Sequence, residues 1–295
     1  MPRAHCSGIE LFYETQGPES GPTVLMIMGL GAQLIRWPPR FCDALVAAGY
    51  RLILYDNRDV GLSSKLHGRA SILRATVRTA LGLAPTNPYT LGDMAGDALG
   101  LLDALGVRKA HVLGVSMGGM IGQLLTARHP ERVRSFVSIM SSSGSLRLPG
   151  PPLDVQLQFL QRGKTRTPAE RIERMFSVMR RIASPAYPPD LTELRARVTR
   201  EVERCDFPAG FQRHLGAIVG SPSRLSLLGT IRTPTLIVHG EADPLVPVAA
   251  AYDLQRRIPG AQLEVIAGMG HDIPAALIPH ITTRVLHHFQ ASDAS

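Results

Sequence analysis

The pentapeptide Gly114–Gly118, with the pattern Gly-x-Ser-x-Gly, limits the possible folds of this chain more than any other stretch. The apolar run Ala110–Val115 leads into it and is typical of a buried strand, and Met117–His129 is typical of a helix that Pro130 ends. A sharp turn between a strand and a helix exposes a serine hydroxyl, and the flanking glycines let the two backbones approach closely. The pattern therefore predicts a nucleophile at Ser116, the alternative being a structural turn rich in glycine.

Two polar residues later in the chain could activate this serine, which attacks only after a base has taken its proton. Asp243 follows the predicted strand Thr235–His239, and His271 follows the predicted strand Gln262–Ile266. Loops at the carboxyl ends of parallel strands meet where such sheets bind ligands. The chain order Ser116, Asp243, His271 predicts a catalytic triad in which His271 is the base and Asp243 fixes its tautomer.

Other polar residues near these two compete for the same roles. Glu241 and Asp272 are carboxylates close to the predicted triad members, and Asp243 taken alone could simply form the turn before Pro244. We interpret His239 as a structural residue at the end of its strand. Four further histidines are expected at the surface or at helix ends: His111, His129, His287 and His288.

The oxyanion that forms during attack on an ester needs backbone donors at fixed positions. One donor should be the N–H of Met117, the residue after the nucleophile. The other should come from the Gly-rich loop after the predicted strand Thr23–Met28. The N–H of Leu30 is our choice there, and the N–H of Gly31 is the alternative.

Residues around this loop, and the end of the strand at Met140, should form the substrate pocket. The predicted lining is Gly29, Gly31, Met140 and Trp37, the only tryptophan of the chain. Further apolar side chains could contribute to the pocket, although such residues more often belong to the core: Met120, Met175, Met179, Phe159, Phe176 and Tyr187.

Strand-like and helix-like segments alternate in residues 1–140 and 230–295, which predicts an α/β core with a mostly parallel sheet and helices on both faces. Ile9–Glu14 alternates apolar and polar residues as an edge strand would. The other predicted strands are Thr23–Met28, Arg51–Tyr55, Ala110–Val115, Val133–Met140, Thr235–His239 and Gln262–Ile266.

Residues 141–229 carry no strand pattern and should form a helical cap over the active site. Helices are predicted around Asp154–Arg162, Pro168–Ile182, Leu191–Arg204 and Phe211–Val219. The 14 basic and 8 acidic residues of this segment give it a net charge of +6. We expect its arginines to form a solvated face rather than a receptor for an acidic substrate.

The composition of the 295 residues excludes several classes of protein. No apolar run approaches the roughly 20 residues of a membrane-spanning helix, and no signal peptide is visible, so we expect a cytoplasmic protein without membrane contact. The net charge of +8 comes without any nucleic-acid-binding motif. Three scattered cysteines and the lack of metal-ligand spacing argue against a disulfide framework or a metal site. We expect a monomer or homodimer.

Four segments of the chain resemble the α/β-hydrolase fold superfamily: Asp56–Ser63 (DNRDVGLS), Gly114–Gly119 (GVSMGG), His239–Pro247 (HGEADPLVP) and Gly268–Pro274 (GMGHDIP). Two positions depart from the usual pattern, because Met28 replaces a histidine of the oxyanion loop and Asp59 replaces a glycine. Both departures, with the dipeptide Trp37-Pro38, are similar to a branch that includes aclacinomycin methylesterase-like hydrolases and esterases acting on macrolides.

The resemblance implies a serine hydrolase that cleaves a carboxylic ester through an acyl-enzyme, without a metal or organic cofactor. The branch suggests a bulky small-molecule substrate, such as a polyketide methyl ester or a macrolactone. Three alternatives share the fold: a cofactor-free haloperoxidase-like perhydrolase, a carbon–carbon bond hydrolase, and a non-catalytic ligand-binding protein.

Overall fold

An eight-stranded sheet runs through the centre of the computed structural model, which describes residues 2–6, 8–68, 70–83, 86–161 and 167–294. In chain order the strands are β1 (Arg3–Cys6), β2 (Ile9–Gln16), β3 (Thr23–Ile27), β4 (Arg51–Tyr55), β5 (Ala110–Val115), β6 (Val133–Ile139), β7 (Thr235–Gly240) and β8 (Gln262–Ile266). Their order across the sheet is β1-β2-β4-β3-β5-β6-β7-β8.

The strands from β4 to β8 in this order are parallel, and β1 and β2 pair antiparallel at one edge. The predicted mostly parallel sheet is therefore confirmed. The expectation that Ile9–Glu14 forms an edge strand was wrong, because β1 pairs with β2 and takes the edge. The sequence pattern of β1 was too short to predict: only four residues long, it alternates exposed and buried side chains.

Helices cover both faces of the sheet. In chain order they are α1 (Pro39–Ala47), α2 (Ile72–Ala80), α3 (Leu91–Ala104), α4 (Met117–Arg128), α5 (Leu153–Gln161), α6 (Pro168–Ile182), α7 (Leu191–Arg204), α8 (Pro208–Gly220), α9 (Leu225–Leu228), α10 (Ala249–Arg257) and α11 (Ile278–Asp293). Alternate residues of one strand enter different cores: Val24 packs with α1 and α11, whereas Leu25 packs with α3 and α4. Because both faces are covered, the central strands β3 and β4 are almost continuous apolar runs, whereas β8 at the edge of the sheet keeps polar residues such as Glu264.

Between β6 and β7 the chain forms α5 to α9, and no strand is assigned within residues 141–161 and 167–229. We call residues 141–229 the helical insert. The bounds of α6 and α7 coincide with the predicted ones, since Thr167 and Asp190 cap their first turns. The predicted end of the first insert helix, Arg162, lies outside the described residues. In the described ranges no helix is long and apolar enough to cross a membrane.

Candidate active site

Ser116 lies at the turn between β5 and α4, with a backbone conformation that L-residues rarely adopt (φ 55°, ψ −117°). The turn brings three backbone segments together: a Cβ on Gly118 would overlap the carbonyl oxygen of Ile27, and a Cβ on Gly114 would overlap that of Gly118. Glycine is therefore required on both sides of the serine. Strained backbone of this kind is found at functional sites, where the surrounding structure maintains it.

Two hydrogen bonds join Ser116 to His271 and Asp243. The Nε2 of His271 lies 3.1 Å from Oγ of Ser116, and its Nδ1 lies 2.6 Å from Oδ2 of Asp243. Oδ1 of Asp243 accepts hydrogen bonds of 2.8 Å from the N–H groups of Leu245 and Val246, which fix the carboxylate. With Nδ1–H donated to Asp243, Nε2 is left to accept the serine proton, as a general base must.

Of the three candidate carboxylates, Asp243 is the one that bonds to His271. Glu241 is exposed. Asp272 accepts hydrogen bonds from the backbone N–H and the hydroxyl of Ser184 instead. Proximity in sequence did not separate the three, because the choice depends on the direction in which each side chain leaves its loop.

His239 contacts the same carboxylate from β7. Its Nε2 lies 2.8 Å from the carbonyl oxygen of Val246 and 3.6 Å from Oδ2 of Asp243. Burial lowers the pKa of His239 and favours its neutral form. Of the histidines expected at the surface or at helix ends, His111 and His288 are instead buried, because one lies in the central strand β5 and the other on the inner face of α11.

In the part of the chain that the structure describes, the N–H groups of Met117 and Leu30 donate no hydrogen bond. Met117 begins α4, where the first N–H groups lack partners within the helix and carry its positive end. The N–H of Gly31 instead donates to Nδ1 of His214 on α8, over 3.2 Å. His214 donates from Nε2 to the carbonyl oxygen of Arg58, and burial lowers its pKa to about 4. This arrangement favours Leu30 over Gly31 as the second oxyanion donor.

Ser116 opens into a cavity of about 100 Å³. Most of its wall is apolar and comes from residues 28–30 after β3, the ends of β5 and β6, and α6 of the helical insert. The apolar side chains bordering it include Met28, Leu30, Val115, Met140, Met179 and Ile182. The cavity therefore suits an apolar group attached to the reacting carbonyl.

The four residues predicted to line the pocket are placed differently. Gly29 and Met140 border the cavity beside Ser116, whereas Gly31 borders a second cavity, of about 90 Å³. Trp37 does not line the cavity: it is 3% exposed and stacks on Phe41 in the core, with ring centroids 6.0 Å apart. Its two chain neighbours border the cavity instead, because this segment directs successive side chains to different sides.

Three charged side chains also border the cavity: Arg36, Arg197 and Asp272. Arg36 forms an ion pair with Glu201 of α7, with Nε 2.8 Å from Oε1. Burial lowers the pKa of Arg197 and raises that of Asp272. Arg197 departs from the expectation that the arginines of the insert form a solvated face, and so do Arg213 and Arg224, which are buried. A signal was present, because Arg197 follows the buried Leu194 by three residues and lies on the same face of α7.

The other apolar candidates are dispersed. Met179 borders the cavity and Met175 borders the second one. Met120 and Tyr187 pack in or against the core, and Phe176 lies under the guanidinium of Arg195. The side chain of Phe159 lies outside the described part. Within the described ranges, no group of three or more His, Cys, Asp or Glu side chains could hold a metal ion.

Comparison with known proteins assigns the family. A family model described as alpha/beta hydrolase fold matches residues 22–178 and 189–274. The chain belongs to this family. The match covers Ser116, Asp243 and His271, and it confirms the resemblance drawn from the sequence motifs.

The chain is also similar to two curated proteins with different activities in their names. The rhodomycin D methylesterase DnrP of Streptomyces peucetius is 28% identical over 303 residues, or 96% of each chain. A 2-hydroxy-6-oxononadienedioate/2-hydroxy-6-oxononatrienedioate hydrolase of Cupriavidus pinatubonensis is 30% identical over 84% of this chain and 80% of its own. Among solved structures, a meta-cleavage product hydrolase from Pseudomonas fluorescens IP01 matches with a TM-score of 0.76 and 21% identity, over 99% of this chain and 98% of its own. That structural match shows the fold alone.

Proposed function

We propose that this protein is a serine hydrolase that cleaves a carboxylic ester through an acyl-enzyme. The observation that carries the proposal is the hydrogen-bonded chain from Ser116 through His271 to Asp243, which opens into a cavity. Leu30 borders that cavity and Met117 directly follows Ser116, and the N–H groups of both have no hydrogen-bond partner among the described residues. Similarity to a methylesterase along nearly the whole chain supports an ester as the substrate.

In the first half-reaction, Oγ of Ser116 attacks the ester carbonyl while His271 takes its proton. The N–H groups of Leu30 and Met117 bind the oxyanion, and losing such a donor costs about 2.7–4 kcal/mol of transition-state stabilisation. Asp243 stabilises the imidazolium form of His271 through Oδ2, which lies 2.6 Å from Nδ1. His271 then protonates the leaving alcohol, and the acyl group remains on Ser116.

In the second half-reaction, His271 takes a proton from water as the water attacks the acyl carbonyl. The tetrahedral intermediate is bound by the same backbone donors as the first one. Its collapse breaks the bond to Ser116, and His271 returns the proton to Oγ as the free acid leaves. One ester and one water are converted into one acid and one alcohol, and the steps require no metal or organic cofactor.

The helical insert acts as a cap in this proposal, because Met179, Ile182 and Arg197 of the insert border the cavity beside Ser116. Methionine side chains adapt to irregular apolar shapes, and the wall of the cavity carries three of them. Such a wall can adapt to apolar groups of different shapes. The methylesterase relative supports a polyketide methyl ester as the substrate, and a macrolactone would present the same carbonyl chemistry.

Hydrolysis of p-nitrophenyl esters, from acetate to decanoate, tests the proposal. The wild type should release p-nitrophenol, and Ser116→Ala should lower kcat by at least about 10³-fold with an unchanged unfolding temperature. A fluorophosphonate should label the wild type at Ser116. Equal turnover by both proteins would exclude Ser116 as the nucleophile, and a folded wild type without turnover or labelling would be a ligand-binding member of the family.

A carbon–carbon bond hydrolase is the second candidate, and Arg197 favours it. The name of the relative from Cupriavidus pinatubonensis describes a dioate, which is a substrate with two carboxylates. Arg197 borders the same cavity as Ser116, and a guanidinium can bind a carboxylate through two parallel hydrogen bonds. Loss of absorbance of a 2-hydroxy-6-oxo-dienoate tests this candidate. Turnover of that acid faster than of every ester would replace the esterase proposal.

A further inference from the structure

The end of α6 is joined to the loop of His271 by hydrogen bonds at three consecutive residues. The N–H of His271 donates to the carbonyl oxygen of Ile182 over 2.8 Å. The N–H of Gly270 donates to Oγ of Ser184 over 2.8 Å. Oδ1 of Asp272 accepts from both the N–H of Ser184, at 3.0 Å, and its hydroxyl. Ser184 thus bonds to the residues on both sides of His271, and it is only 1% exposed.

The backbone that follows α6 and the backbone of the loop before His271 lie too close for any side chain on the glycines of this loop. A Cβ on Gly270 would lie 2.7 Å from the carbonyl group of Ala183. A Cβ on Gly268, which has a φ of 67°, would overlap the Cβ of Ala186, whose N–H donates to the carbonyl oxygen of Gly268 over 3.2 Å. Glycine is therefore required at both positions before His271, because the helical insert occupies the space in which a side chain would lie.

We propose that Ser184 is a positioning residue for the base, a role that rests on the proposed function. Asp243 orients the ring of His271 through Nδ1, but the position of the ring also depends on the main chain at residues 270–272. Ser184 binds the main-chain N–H of Gly270 on one side of His271 and the carboxylate of Asp272 on the other. A displacement near 1 Å can lower a rate about 10²-fold, and it would lengthen the 3.1 Å contact between His271 and Ser116 beyond hydrogen-bonding range.

The consequence is that docking of the helical insert and alignment of His271 are one event. The insert borders the cavity through α6, and the same helix ends at Ile182, whose carbonyl oxygen binds the N–H of His271. Ser184 follows two residues later and completes the connection. Displacement of the insert from the core would therefore move the base away from Ser116 as well as open the cavity.

Ser184→Ala tests the proposal, with Ser143→Ala as the matched control. Ser143 also lies in the insert at 1% exposure and donates to a carboxylate, Asp253, over 2.6 Å, but that carboxylate is on α10. We expect Ser184→Ala to lower kcat for p-nitrophenyl acetate about 10- to 100-fold with KM changed less than about threefold. Ser143→Ala should keep kcat within about twofold. Ser184→Cys, similar in size but a weaker hydrogen-bonding group, should have an intermediate kcat and serves if the alanine variant does not fold.

Two further readouts separate positioning from stability. The rate of fluorophosphonate labelling should fall in Ser184→Ala by the same factor as kcat, because labelling also needs His271 as base. The low-field proton resonance of the hydrogen bond between Asp243 and His271 should shift or broaden in Ser184→Ala and stay unchanged in Ser143→Ala. This resonance does not depend on turnover, so it tests the positioning even if the wild type hydrolyses no ester. Equal losses of unfolding temperature in both alanine variants, with kcat and the resonance unchanged, would overturn the proposal.

Discussion

Replacing His214 with leucine should loosen the loop that carries the N–H of Leu30. Nδ1 of His214 accepts from the N–H of Gly31, and Nε2 donates to the carbonyl oxygen of Arg58, in a fully buried position. Leucine is of similar size but has no polar atom. The orphaned carbonyl of Arg58 is buried and should cost about 1–3 kcal/mol, and the partly buried N–H of Gly31 should cost less, so the free energy of unfolding should fall by roughly 1–5 kcal/mol. That is a large part of the roughly 5–15 kcal/mol that stabilises a typical protein.

The activity of His214→Leu should also fall, because the N–H of Leu30 directly precedes the loosened residue. Complete loss of an oxyanion donor costs about 10²–10³ in kcat, so a displaced donor should cost about 10- to 100-fold. KM should change little, since this contact is made mainly in the transition state. Initial rates with p-nitrophenyl acetate, taken well below the unfolding temperature of the variant, measure both constants.

The pH dependence of stability gives an independent measure of the same side chain. Burial lowers the pKa of His214 from 6.5 to about 4. Between these values the unfolded state binds a proton that the folded state does not. The free energy of unfolding is therefore unaffected by protonation of His214 above pH 6.5, and it decreases by roughly 3 kcal/mol in all as the pH falls toward 4. His214→Leu should lack this loss, whereas His111, whose pKa burial also lowers to about 4, still contributes its own.

His214→Asn is the matched control, since its side chain keeps one acceptor and one donor but does not titrate in this range. It should recover part of kcat while showing the reduced pH dependence of the leucine variant. Urea unfolding curves at several pH values between 4 and 7 supply the free energies. If His214→Leu keeps both the kcat and the pH dependence of the wild type, then His214 neither supports the loop nor is buried as a neutral ring.

Two further changes test the cavity and its border. Arg197→Gln should lower kcat/KM for a half-ester with a free carboxylate at least about tenfold more than for the matched neutral diester. Arg195 is exposed, so Arg195→Gln should change kcat/KM for the two esters by the same factor. Equal losses for the two esters in Arg197→Gln would show that Arg197 binds no acid. Gly268→Ala should lower the unfolding temperature by several degrees more than Gly260→Ala. Both glycines have a positive φ, but a Cβ on Gly260 would have open space around it, whereas a Cβ on Gly268 would overlap Ala186. Equal shifts in the two thermal unfolding curves would show that the contact with Ala186 does not require glycine.

The parts of the fold that the sequence predicted well are those with a local cause. Arg51–Tyr55 and Ala110–Val115 are short, mainly apolar segments, and Gln262–Ile266 alternates polar and apolar residues; the observed bounds of all three coincide with the predicted ones. The helix α2 (Ile72–Ala80) was missed because its apolar residues do not mark a buried face. Leu73, for example, is 77% exposed. The buried Ala75 and the exposed Leu73 and Val77 lie on the same helix, so its apolar positions do not define one buried face.

The residues of the candidate site also differ in whether the sequence could place them. Ser116, Asp243 and His271 each follow a parallel strand, so their convergence at one edge of the sheet could be predicted from order alone. Trp37 and Arg197 could not be placed by that reasoning. Whether a side chain in a loop or on an insert helix faces the cavity is decided by what covers its other side, and for Trp37 that is Phe41.

Met28 and Asp59 are the two residues that depart from the usual sequence pattern, and residues of α8 bond to Asp59 and to the loop after Met28. Met28 offers no polar side chain to the loop of Leu30 and Gly31, and this loop is instead held by His214, which accepts a hydrogen bond from the N–H of Gly31. Asp59, in the place of a glycine, has a φ of 69° and forms a buried two-point ion pair with Arg213, at 2.7 and 2.8 Å. Arg213 directly precedes His214, so this ion pair fixes the turn of α8 from which His214 reaches the loop. The strained aspartate thus helps to place the imidazole that supports the loop, and neither contact can be read from the sequence motifs separately.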